Sequence, residues 1–96
     1  MKKAKKLIAG LTATSAALML LTSPTLAATV YEHGGVWNYG VGKKYVWSYY
    51  SHNRLTHKSS VQGKYFSSSG WVSPGTQARA SAEKAWTGNQ SYFDVE

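Results

Sequence analysis

Few side chains in this sequence can do chemistry. Three histidines, His33, His52 and His57, are the groups whose charge changes near neutral pH. No cysteine is present, so thiol chemistry is excluded. His52 and His57 lie five residues apart and can face each other across a turn at Asn53 to Thr56. Zinc sites use closer spacing and a third or fourth ligand, so no metal is expected. Two readings of the pair stay open: partly buried, hydrogen-bonding histidines, or a pair that contacts a ligand. The carboxylates are Glu32, Glu83, Asp94 and Glu96, two of them at the C-terminus. They offer no clear pair for hydrolysis. Serines abound, yet none sits in a nucleophile elbow. Gly40-Val41-Gly42 lacks the helix signal of a dinucleotide site. The expectation is a binding protein, not an enzyme, with no cofactor.

The chemistry left is recognition. Lys43, Lys44, Arg54 and Lys58 can meet phosphate oxygens by charge-assisted hydrogen bonds. Trp37, Tyr39, Trp47 and Tyr50 can stack on the C–H faces of sugars. With His52 and His57 these residues form the candidate ligand-binding set. The chain holds thirteen aromatic residues, all of them after position 27. So short a chain cannot bury thirteen rings, so some must face solvent or a second subunit.

The elements that hold these residues read as strands. Lys44 to His52 alternates, with Tyr45, Trp47 and Tyr49 pointing one way and Val46, Ser48 and Tyr50 the other. Gly35 to Tyr39, His57 to Val61, Gly63 to Ser67 and Gln90 to Val95 read as shorter strands, with glycine and serine marking the turns. Gly34-Gly35 is read as one such turn rather than as a leader-cleavage site. Gln77 to Trp86 is ambiguous. Ala78, Ala82, Ala85 and Trp86 form a helical stripe, but Thr76, Ala78, Ala80 and Ala82 also alternate with polar residues. Alanine content favours the helix.

An export leader precedes this domain. Lys2, Lys3, Lys5 and Lys6 are followed by an uncharged stretch from Leu7 to Leu21, then Pro24 and the small residues Thr25, Ala27 and Ala28. That is the order of a secretory signal peptide. The apolar stretch is shorter than the roughly 20 residues that a spanning helix needs. Cleavage is expected after Ala27, with Ala28 as the alternative. The division is then a helical signal peptide over residues 1–27 and a mature domain over 28–96, secreted from the cell.

Processing changes the charge. The whole chain carries +7, but four of its eleven basic residues lie in the leader. Residues 28–96 keep seven basic and four acidic groups, a net +3. Near an anionic surface each basic residue contributes about 1 kcal/mol. Charge alone therefore does not hold the mature domain on a membrane or on nucleic acid; no nucleic-acid partner and no stable membrane insertion are expected. The absence of cysteine also removes the usual disulfide staple of small exported domains. Cohesion must come from aromatic packing or from self-association.

Several runs resemble one family. They are Gly35-Val36-Trp37-Asn38-Tyr39-Gly40-Val41-Gly42, then Val46 to His52, then His57-Lys58-Ser59-Ser60-Val61, and finally Ala80-Ser81-Ala82 with Gly88 to Phe93. Together they resemble the lactococcin 972 family of bacteriocins over essentially the whole mature chain. The resemblance implies an all-β fold, a small antiparallel β-sandwich, which turns the reading of Gln77 to Trp86 from helix to strand. It implies a homodimer. It also implies inhibition of related Gram-positive bacteria by binding the cell-wall precursor lipid II and blocking septum formation, without pores or stable membrane insertion. It carries over no contact residues. A non-toxic cell-wall or carbohydrate-binding module is the alternative. A matrix protein with a self-associating aromatic surface is the third possibility.

Overall fold

The computed structural model describes residues 5–9 and 26–96. These form eight strands: β1 (Lys5–Ala9), β2 (Leu26–Glu32), β3 (Gly35–Val41), β4 (Tyr45–Ser51), β5 (His57–Gln62), β6 (Phe66–Ser68), β7 (Ala78–Glu83) and β8 (Gln90–Val95). One sheet has the order β2-β3-β4-β7 and the other β1-β8-β5-β6. Every strand pair is antiparallel. The two sheets pack face to face, and no helix occurs among the described residues.

Strand β4 follows its alternation. Val46, Ser48 and Tyr50 are buried, while Tyr45, Trp47 and Tyr49 face outward. β7 settles the ambiguous alanine segment as a strand. Ala78, Ala80 and Ala82 are buried, and Arg79, Ser81 and Glu83 are exposed. The register sets Tyr50, Ser48 and Val46 opposite the three alanines in turn. Pairing with β4 and burial of one alanine face outweigh a helix preference worth only tenths of a kcal/mol per residue. The strand expected over Gly63 to Ser67 starts later, at Phe66, because Gly63 to Tyr65 turn the chain.

β2 was not anticipated. Its first residues are Leu26, Ala27 and Ala28, whose small side chains read as a cleavage site. In the fold they pair with Val41, Gly40 and Tyr39. The expected leader helix falls mainly on residues 10–25, outside the described residues. The described leader segment, Lys5–Ala9, is extended and pairs with β8. His33 and Gly34, both at positive φ (50° and 83°), make the two-residue turn from β2 to β3. That geometry matches the twist of a tight hairpin.

The interior has two parts. Val41, Val46, Val61, Ala80 and Ala82 form an aliphatic cluster. Trp37, Tyr50, Phe93 and Val95 form an aromatic one. Within it Tyr50 stacks on Phe93 with centroids 4.3 Å apart, and Trp37 meets Phe93 edge-on at 4.7 Å. Buried serines then bridge the sheets. Trp37 Nε1 donates to Ser48 Oγ (2.9 Å), and Ser48 Oγ donates to the Tyr92 carbonyl (2.8 Å). Ser91 Oγ donates back to the Trp47 carbonyl (2.9 Å), and Ser59 Oγ donates to the Ala78 carbonyl (3.1 Å). Low local dielectric strengthens such bonds when every group is satisfied.

Candidate functional site

Three chain turns converge at one end of the sandwich. The β3–β4 turn carries Lys43 and Lys44 and closes through the Gly42 amide, which donates to the Tyr45 carbonyl (2.8 Å). The Lys84 amide donates to the Lys44 carbonyl (2.9 Å), extending the β4–β7 ladder past its end. The Lys64 amide donates to the Glu83 carbonyl (2.9 Å), drawing the β5–β6 turn to the same place. These backbone bonds fix where four lysines leave the chain.

The result is an open basin of about 620 Å³ lined by Lys43, Lys44, Lys64 and Lys84, with Tyr45, Trp86 and Glu83. Trp86 is 87% exposed, far more than a core tryptophan. Glu83 is the one acid in the lining and pairs with Lys64 at 3.6 Å. Both partners of that pair are exposed, so it is weak and leaves the lysines available. Four lysines against one glutamate give the basin a net +3. That equals the net charge of residues 28–96. Elsewhere in that span Arg54, Lys58 and Arg79 balance Glu32, Asp94 and Glu96. The positive charge of this domain is therefore concentrated at one end, where it suits an anion.

The expected site residues separate into groups. Lys43 and Lys44 line the basin, and Trp47 lies beside it on the outer face of β4. Trp37, Tyr50, His52 and His57 are buried and belong to the interior. Tyr39 stacks on Trp37 with centroids 4.0 Å apart. Arg54 is exposed in the β4–β5 connection, beside the β2–β3 turn. That is the far end of β4, roughly 20 Å from the basin. Lys58 sits over the Trp71 ring at 4.6 Å and pairs with Asp94 at 3.9 Å. Arg54 and Lys58 thus lie apart from the lysine cluster.

The histidine pair has full internal bonding. His52 Nδ1 accepts from the Arg54 and Leu55 amides (3.1 and 2.9 Å), and its Nε2 faces the His33 carbonyl (3.0 Å). His57 Nδ1 faces the Leu55 carbonyl (2.8 Å) and Nε2 the Thr76 carbonyl (2.7 Å). Of the two open readings, the hydrogen-bonded one describes both. Tyr50 lies against this pair and donates to the Glu32 carbonyl (2.7 Å). Burial, with the Glu32 carboxylate second, pushes its hydroxyl up to about 12.

Sequence reasoning missed Lys64, Lys84 and Trp86. Each is unremarkable in its own segment, and only long-range pairing of the β5–β6 turn with the end of β7 brings them to Lys43 and Lys44.

The chain matches no curated protein and no solved structure. Residues 33–93 match the family model described as Bacteriocin (Lactococcin_972). That span runs from the β2–β3 turn to Phe93 in β8 and includes all four basin lysines, so the chain belongs to the Lactococcin_972 family of bacteriocins.

Proposed function

We propose that this protein is a secreted bacteriocin that binds lipid II at the lysine basin and so blocks septum and cell-wall synthesis in related Gram-positive bacteria. The observation that carries this reading is the gathering of Lys43, Lys44, Lys64 and Lys84 around one cavity with an exposed Trp86. Lipid II offers a pyrophosphate, two sugars and a peptide. The lysines meet the pyrophosphate by charge-assisted hydrogen bonds, which are stronger than neutral ones. Trp86 and Tyr45 stack beside it. Recognition rather than catalysis does the work.

Export fits the basic start and apolar stretch of residues 1–27. Cleavage after Ala27 shortens β2 to Ala28–Glu32, which keeps its partners Gly35 to Tyr39. It also takes β1 away and leaves β8 at a sheet edge. Such an edge presents unpaired N–H and C=O groups that a second copy can use, in keeping with a homodimer.

The test is a spot assay of purified protein on a Gram-positive panel, with and without added lipid II. Inhibition relieved by lipid II supports the proposal. No inhibition on any strain, with binding to purified peptidoglycan retained, sinks it in favour of a non-toxic wall-binding module. Sedimentation of the processed chain as a monomer removes the homodimer.

A further inference from the structure

The outer face of the β2-β3-β4-β7 sheet carries a second constructed surface. Tyr45, Trp47 and Tyr49 stand in a row along β4, all on the side away from the other sheet. Alternate residues of a strand lie about 6.6 Å apart along one face. A groove of about 310 Å³ is lined by all three rings together with Gly42 and Ser81. Lys43 and Lys44 line both this groove and the basin, so the two adjoin.

The central ring is held rigid. Trp47 Nε1 donates to Asn38 Oδ1 (2.8 Å), and Asn38 Nδ2 donates to Thr29 Oγ1 (2.8 Å). This polar ladder crosses three strands and fixes the indole's rotation. Gly40 lies beneath it. A Cβ built on Gly40 would come within 2.5 Å of the ring, so glycine lets the indole lie flat on the sheet. Tyr49 is held in turn by Arg79, whose guanidinium carbon sits 4.4 Å from its ring centre.

This arrangement constrains what can bind. The indole has one hydrogen-bond donor, and Asn38 uses it. What remains for a ligand is an aromatic face, flat and immobile. The complement of such a face is an equally flat apolar surface with polar groups at its edge. A pyranose ring has that form, with C–H bonds on its faces and hydroxyls around its rim. Ser81 stands where such a hydroxyl can be met, and Lys43 and Lys44 offer donors at the end of the row. A rigid stacking residue loses little conformational entropy on binding. Cross-strand aromatic packing alone would stabilise the sheet. It does not call for a pinned indole beside an open groove.

We propose that the Tyr45–Trp47–Tyr49 row is a carbohydrate-binding subsite that takes consecutive pyranose rings of an uncharged glycan. It needs no phosphate and does not rest on the lipid II reading. The two surfaces adjoin, so one ligand can span them, but each has its own chemistry.

The test uses the purified protein and chitotetraose, an uncharged oligosaccharide of N-acetylated pyranoses. Binding is followed by NMR at the Trp47 indole N–H, a resonance that basin ligands reach only indirectly. Saturable shifts are expected. Trp47→Ala and Tyr49→Ala should each weaken binding about tenfold, the loss of one stacked ring. Lys64→Gln and Lys84→Gln should leave it within about twofold of the parent, since no charge is involved. Because Trp47→Ala can disturb the sheet, Tyr45→Ala provides the same readout at a more exposed position. The proposal is overturned if no shift saturates, or if binding survives loss of Trp47 and of Tyr45. It is equally overturned if both variants alter sedimentation but not glycan affinity, which would make the row a contact between copies. Lipid II affinity lost in the lysine variants alone separates failure of the basin from failure of the row.

Discussion

His52 and His57 stand with ring centroids 6.3 Å apart and bond the backbone in opposite senses. His52 Nδ1 accepts two amide protons, so its own proton sits on Nε2 and is donated to the His33 carbonyl. His57 has a carbonyl oxygen at each ring nitrogen, and carbonyls only accept. The ring thus ties the β4–β5 connection, through Leu55, to the segment that leads into β7, through Thr76. His57→Ala empties a fully buried site beside Tyr50 and removes the ring that anchors the Leu55 and Thr76 carbonyls, and should cost about 2–4 kcal/mol in denaturant unfolding. A loss below about 0.5 kcal/mol in that variant would refute this account.

Tyr50 gives the protein a weakness at alkaline pH. Its hydroxyl is held up to about 12 in the fold, against 10.0 for the free side chain. The stabilising effect is therefore complete below about pH 10. Above that the unfolded chain gives up this proton while the folded chain keeps it, so stability falls as pH rises toward 12. The loss is of order 2–3 kcal/mol across that window. Tyr50→Phe removes the hydroxyl and should flatten this part of the profile relative to the parent, as read by unfolding at stepped pH. Parallel profiles for the two proteins would refute the assignment.

Ser48 tests the bridge between sheets. It accepts from Trp37 and donates to the Tyr92 carbonyl, so Ser48→Ala takes the partner from the buried Trp37 indole N–H and cuts this link to β8. The expected cost is about 2–3 kcal/mol. Ser91→Ala strands the Trp47 carbonyl alone and should cost less, about 1 kcal/mol. Equal and negligible losses in urea unfolding would show that the serines contribute nothing.

Glu83 tests the basin by gain rather than loss. Its carboxylate is the only negative side chain in the lining and pairs with Lys64 in the open. Glu83→Gln raises the basin from +3 to +4 and should tighten binding of a pyrophosphate ligand a few-fold, with a steeper salt dependence. Stability should change by less than about 0.5 kcal/mol, as for other exposed pairs. Calorimetry of ligand binding and a thermal melt check the two halves. Weaker binding in this variant would mean that Glu83 is itself a contact.

Local pattern was legible where one strand face is buried. Val46, Ser48 and Tyr50 alternate with Tyr45, Trp47 and Tyr49 in sequence as they do in the sheet. Ala78 to Ala82 fit two periods at once, and residue pattern alone favoured the wrong one. Only resemblance to the family turned it to strand, and pairing with β4 supplies the physical cause. Leu26 to Ala28 satisfy a protease's preference for small residues and a strand's backbone pairing at once, and the first reading hid the second. The basin was half visible. Lys43 and Lys44 are neighbours in the chain, whereas Lys64 and Lys84 reach them through the Lys64–Glu83 and Lys84–Lys44 backbone bonds. Arg54 and Lys58 looked equivalent to them in sequence but leave the sandwich elsewhere.

The serine bridges between the sheets have a consequence for where the protein can work. Ser48, Ser59 and Ser91 join the layers with hydroxyl protons, and the chain contains no sulfur bridge to form or lose. Maturation then requires no oxidase or isomerase, and free thiols in the surroundings have nothing to cut. The fold holds equally under aerobic and reducing conditions, and treatment with dithiothreitol leaves its melting temperature unchanged.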